Sequence, residues 1–192
     1  MYTDAGMDGL LSGNAKKSQE LLKEAGYDGT PIVLMASTDL PILTNLSPVA
    51  KQQLERGGFK VDMQSMDWQT LVARRSKKEP PAQGGWNIFI TGTTVLTSSN
   101  PITHTSIGMG CDKAWFGWPC DAEVETLRNS WALGADVAAR KQIAVEVSKA
   151  AYQKVPYISF GQWTSPVAYR SDKISGVLSV PSVPPMWNIE KK

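Results

Sequence analysis

Two cysteines, one histidine and seven tryptophans carry most of the chemistry open to this chain of 192 residues. Cys111 and Cys120 lie nine positions apart, in a segment that also holds Gly108, Gly110, Gly117 and Pro119. Two isolated thiols make a poor zinc site, which takes four ligands, and the C-x-x-C spacing of redox centres is absent. His104, within Pro101-Ile-Thr-His-Thr-Ser106, is the sole histidine, so a Ser-His-Asp or Cys-His arrangement would have to use it. A G-x-S-x-G elbow, a P-loop, an H-E-x-x-H helix and an S-x-x-K pair are all missing. A hydrolase-like enzyme built on a cysteine or on His104 is the alternative to a protein that only binds.

Tryptophans bury large rings and keep one polar N–H, which suits half-buried walls of ligand sites. Trp131, near Leu127 on a helix, reads as core, and Trp68, in the first turn of its helix, reads as packing. Trp115, Trp118 and Trp163 fall in loops or at strand ends, where a core has less need of them, and are candidate ligand contacts. A formal net charge of +2 with scattered basic residues gives no footprint for nucleic acid. The cluster Arg74-Arg75 with Lys77-Lys78 reads as a solvated helix end. No apolar run approaches the roughly 20 residues a membrane span needs.

The elements that must position these groups alternate. Ala15 to Ala25 is helical, with Asn14 as N-cap and Gly26 as stop. Pro31-Ile-Val-Leu-Met-Ala36 is too short for a helix and rich in strand formers. The next stretch has two readings. Either Ser47 caps a helix with Pro48 at its first position, or one longer helix starts near Pro41 and contains Pro48. Strands follow near 59–65, 86–91 and 155–160, with helices from Trp68 to about Lys78, Glu123 to Leu133 and Asp136 to Lys154. Helices alternating with short apolar strands give an α/β layer fold, a mixed sheet flanked by helices. From Gly92 to Asp121 no regular pattern survives, and a loop that long in a compact domain usually binds something.

The phrases AKKSQELLKEAGYDG, AKQQLERGGFKVDMQSMDWQTLVARR, GGWNIFITG, WFGWPCDAEVETLRNSW and PPMWNIEKK occur in an order that resembles the C-terminal half of family 5 extracellular solute-binding proteins. These are the dipeptide-, oligopeptide- and nickel-binding components of bacterial ABC importers. The resemblance implies one lobe of a type II periplasmic-binding-protein-like fold, with residues 1–13 as a linker and residues 14–192 as the C-terminal lobe. It implies a small solute, peptide-like or other, trapped between two lobes, with a missing N-terminal lobe and a membrane permease as partners. The same lobe would serve a sensory receptor equally well. No catalytic residue, cofactor or metal ligand is implied.

The resemblance also implies a periplasmic or extracellular place, although Met1-Tyr-Thr-Asp-Ala-Gly6 has neither the basic nor the apolar region of a signal peptide. The natural protein is therefore expected to begin upstream. In an exported protein, Cys111 and Cys120 read as a local disulfide. Peptide-binding relatives place a Gly-Trp-x-x-Asp-like segment after the strand equivalent to 86–91, its carboxylate receiving the peptide's ammonium. Here that stretch reads Gly92-Thr-Thr-Val-Leu-Thr-Ser-Ser-Asn-Pro101, and nothing acidic occurs between Trp86 and Cys111. Thr91, Thr93, Thr94 and Thr97 offer hydroxyls there instead, and Thr91, Gly92, Thr93 and Thr94 are thus candidate ligand contacts. The other reading is that the match slips and Asp112 or Asp121 supplies the charge.

Overall fold

The computed structural model describes residues 4–178, 180 and 185–192, so the start of the linker segment and Pro181 and Pro184 lie outside the described residues. The chain divides into two compact units, Gly9–Gly92 and Met1–Asp8 with Thr93–Lys192.

In the first unit, α1 (Ala15–Glu24) starts where the Asn14 side chain accepts the Lys17 N–H at 3.0 Å, and Gly26 takes a left-handed φ of 71° just past its end. β1 (Ile32–Ser37) runs parallel to β2 (Val61–Met66) on one side, from Ile32 opposite Val61 to Ser37 opposite Met66. On its other side it runs parallel to β3 (Ile88–Phe89), with Leu34 opposite Ile88. As the middle strand, β1 is covered on both faces, and Val33, Leu34, Met35 and Ala36 are all buried. The expected third strand, 86–91, makes a ladder only over these two residues. Asn87 extends the pairing, its amide donating to the Val33 carbonyl at 3.1 Å and its side-chain oxygen accepting the Val33 N–H at 2.8 Å.

The longer of the two helix readings is the one observed. α2 (Pro41–Arg56) begins with a proline and keeps Pro48 inside. Ser47 is buried within it, its hydroxyl donating to the Leu43 carbonyl at 2.9 Å instead of capping. An interior proline costs about 3 kcal/mol. Burial of Leu43 and Ala50 against Leu34 and Ile90, with Leu46 packed alongside, offsets a cost of that size. α3 (Trp68–Arg74) is capped by Asp67, and Trp68 packs on the same cluster, as its sequence position suggests.

In the second unit α4 (Ala122–Ser130) and α5 (Val137–Lys154) bury Ile107, Val147 and Ala151 together, with Leu127 and Ile143 packed against them. Trp131 lies on a short 3-10 turn after α4 and is half-buried. Its ring sits under the Arg140 guanidinium, 6.0 Å from the centroid. β4 (Ile174–Ser175) and β5 (Glu190–Lys191) form a separate antiparallel pair, so the three-stranded sheet itself is parallel.

The strand expected over 155–160 is not formed. Val155 turns out of α5 with a φ of +50°, and the run beyond it joins no ladder among the described residues. Val155, Ile158 and Phe160 stand 56%, 64% and 48% exposed. The apolar composition that reads as a strand is present, but a strand also needs a neighbour, and this unit supplies none there.

Candidate functional site

The long irregular segment between β3 and α4 is held at its far end by a closed neck. The Cys111 N–H donates to the Pro119 carbonyl at 3.1 Å, and the Asp121 N–H donates to the Met109 carbonyl at 3.0 Å. Between these bonds Cys111 and Cys120 form the expected disulfide, which leaves neither as a thiol nucleophile. The tip of the loop gathers three rings. Trp115 and Phe116 have centroids 5.5 Å apart, and Phe116 meets Trp118 edge-on at 6.4 Å. All three are half-buried. The two tryptophans were legible from their place in a loop, whereas Phe116, which joins them, was marked only by its type.

Charged groups fasten the base of this loop. Glu125 accepts the Met109 N–H at 2.8 Å and the Arg128 Nη2 at 2.5 Å. Arg128 also donates to the carbonyls of Pro101 and Ile102, both at 3.1 Å. Arg128 beside it holds the Glu125 carboxyl below its ordinary range, and the Met109 N–H adds to this. Asp121 is fully committed. Its side chain pairs with Lys154 at 2.7 Å and caps α4 at the Val124 N–H, contacts that lower its pKa, and the pairing raises that of Lys154. An Asp121 spent in this way makes a poor receiver for a solute ammonium, while Asp112 lies exposed near the loop's start.

Removal of the Arg128 head group, as in Arg128→Met, is expected to lower stability at neutral pH by about 2 kcal/mol, because it strips bonds from a carboxylate and two carbonyls at once. The sign with pH follows from the depressed Glu125 pKa. The contribution of Glu125 is present above its unfolded pKa and is lost as pH falls through its folded value. Urea unfolding at about pH 7 and about pH 3 should therefore give a wild-type–variant gap that narrows in acid. An unchanged gap would mean that the carboxylate contributes nothing.

Thr91 and Gly92 end the first unit and Thr93 and Thr94 begin the second. Thr91 is half-buried, and the other three are exposed. Thr94 is spent locally, its hydroxyl 2.8 Å from that of Thr97 and its carbonyl accepting from Ser98 at 3.1 Å. Thr91 and Thr93 enter no hydrogen bond among the described residues, which leaves their hydroxyls open to a solute. Trp163 is 45% exposed in the irregular run after α5 and joins no ring contact among the described residues. His104 stands 3.4 Å through Nε2 from the Tyr157 hydroxyl, with ring centroids 5.4 Å apart, and burial pushes its pKa down. Tyr157 had no mark in the sequence beyond its place in an expected strand.

Comparison with known proteins places this geometry. The family model described as "Bacterial extracellular solute-binding proteins, family 5 Middle" matches residues 2–106, more than half of the chain. The "Probable peptide ABC transporter periplasmic-binding protein y4tO" of Sinorhizobium fredii (strain NBRC 101917 / NGR234) is 38% identical over 179 residues. That match takes in 93% of this chain but 33% of the relative, so the chain spans about a third of the relative's length. Among solved structures, a dipeptide binding protein from Pseudoalteromonas sp. SM9913 in complex with Met-Leu superposes with a TM-score of 0.62 at 18% identity, over 91% of this chain and 35% of that one. The binding protein AgaA from A. tumefaciens R10, in complex with agropinic acid, gives 0.61 at 20% identity, over 74% and 29%. At these identities the structures establish the shared fold. With the α/β architecture, the ordered phrases and the family match in agreement, the chain belongs to family 5 of the bacterial extracellular solute-binding proteins.

Proposed function

We propose that this chain is one lobe of a two-lobed solute-binding protein that hands a small, peptide-like solute to an ABC importer in the membrane. The observation that carries the reading is the 38% identity to a peptide transporter's periplasmic-binding protein across 93% of this chain. On this reading residues 14–192 make the lobe, residues 1–13 lead into it, and the protein works outside the cytoplasmic membrane. Support for a missing partner lobe comes from the run 155–169, which carries Val155, Tyr157, Ile158, Phe160, Trp163, Val167 and Tyr169, all exposed. So much apolar surface on one irregular segment is what an absent domain would cover.

The lobe traps its solute by closure and performs no chemistry on it. Thr91 and Thr93, with Gly92 and Thr94 beside them, offer hydroxyls and backbone to neutral or anionic groups, and Trp115, Trp118 and Trp163 offer apolar walls. Nothing acidic stands between Trp86 and Cys111, and a buried ammonium without a paired charge costs several kcal/mol. The solute therefore docks no free α-amino group at residues 92–100. Thermal-shift screening of the two-lobed protein against dipeptides, N-blocked dipeptides, opines, sugars and metal chelates tests this. The expected hit is a peptide-like or opine-like compound whose effect survives blocking of any amino group. Strong stabilisation by ordinary dipeptides, abolished by that block, would contradict it.

A further inference from the structure

Two non-glycine residues of the disulfide loop have left-handed backbones, Cys111 with a φ of 58° and Trp118 with a φ of 47°. For a bulky residue such as tryptophan this conformation is sparsely populated and persists only where the surroundings enforce it. The enforcement is visible. Trp118 donates its N–H to the Trp115 carbonyl at 2.9 Å, Gly117 between them takes a φ of 99°, and Cys120, two residues on, is tied to Cys111 through sulfur. Below this turn the neck is anchored three ways: Glu125 on the Met109 N–H, Asp121 on the start of α4, and Lys154 of α5 on Asp121. Met109 itself is buried at 2% exposure. The result is a rigid mount carrying half-buried rings at its tip, an arrangement that lowers the cost of ordering side chains when something binds.

The geometry points to an aromatic subsite formed by Trp115 and Trp118 that takes an apolar side chain of the solute, with the Cys111–Cys120 disulfide as its positioning element. Residues between Met109 and Asp121 other than these rings bring few competing anchors. The charged residues there, Asp112 and Lys113, are exposed on the 3-10 turn Cys111–Lys113. The subsite rests on the reading that the chain binds a solute. It deepens that reading by naming the chemical class of group that reaches this loop and what shapes the loop for it.

The probes are N-acetyl-leucinamide and N-acetyl-phenylalaninamide, with N-acetyl-glycinamide as the comparison lacking a side chain. They are titrated into the oxidised chain while the indole Nε1–H signals of its seven tryptophans are followed by NMR. The expected result is a saturable shift confined to Trp115 and Trp118 with the first two probes. In the paired variant Cys111→Ser with Cys120→Ser, affinity should fall roughly tenfold while the Trp131 signal stays in place, reporting an intact α4–α5 pair. Trp118→Ala, with the disulfide kept, should also remove the shift at Trp115, which gives a second reading that does not depend on the serine variant folding. Equal shifts with the glycinamide, shifts spread over all seven indoles, or unchanged affinity in the paired serine variant would overturn the proposal. Failure of the solute screen with the two-lobed protein would remove the transport reading and leave this result standing, so the two are separable.

Discussion

Gly85→Ala is expected to cost the first unit about 3–5 kcal/mol, enough to unfold much of it at room temperature. A Cβ at this position would sit 1.7 Å from the Glu79 carbonyl oxygen, 2.8 Å from the carbon of that carbonyl and 3.0 Å from the Pro80 carbonyl carbon. All three atoms are backbone, so no side chain can swing away to make room. Gly85 is also buried and doubly held, its N–H on the Pro80 carbonyl at 3.1 Å and its own carbonyl receiving Arg74 Nη2 at 2.7 Å. The same arginine reaches the Gly84 carbonyl through Nε at 2.9 Å and the side-chain oxygen of Gln64, within β2, at 2.5 Å. This turn delivers Trp86 to Ile90 alongside β1, so strain here is felt directly by the core around Leu34 and Ile90. Urea unfolding followed by circular dichroism checks it, with exposed Gln83→Ala as a control expected to stay within about 0.5 kcal/mol of wild type. A Gly85→Ala midpoint equal to that of the control would show that the turn is not packed as described.

The helices and the first two strands were legible in the sequence because each carries a local signal that its environment does not reverse. Asn14, Asp67 and Asp136 cap as their types suggest, and the apolar run at 31–36 becomes the buried middle strand. Two features were legible only in part. Pro48 argued locally for a helix start at Ser47, yet burial of Leu43 and Ala50 on the sheet settles the longer helix. Val155 to Phe160 has the composition of a strand without the neighbour a strand requires, and no pattern along one segment reports whether a partner exists elsewhere.

The candidate site divides along the same line. Cys111 and Cys120 could be paired from their spacing once the chain resembled an exported family, and the tryptophans stood out by type. What the sequence did not carry is which polar groups are already used. Asp121 looked available and is spent on α4 and Lys154, Thr94 is spent on its own turn, and Glu125 with Arg128, unmarked in the sequence, fastens a loop. Such assignments depend on contacts between segments many residues apart, which spacing alone does not encode.

On the proposed one-lobe reading, the largest expected effect separates this chain from the two-lobed protein. Sites of this kind bury most of a solute's surface, and a chain that supplies one wall leaves the other side of the solute in water. A micromolar solute is bound by about 8 kcal/mol, so loss of half its contacts would weaken binding roughly a thousandfold, each 1.4 kcal/mol being tenfold. The direct measurement is calorimetric titration of this chain and of the two-lobed protein with one solute, whichever compound of the thermal-shift screen most raises the melting temperature of the two-lobed protein. The account predicts tight binding by the two-lobed protein and binding at least about a hundredfold weaker by this chain alone. Equal, tight binding by both would place the whole pocket within these 192 residues and contradict the one-lobe reading.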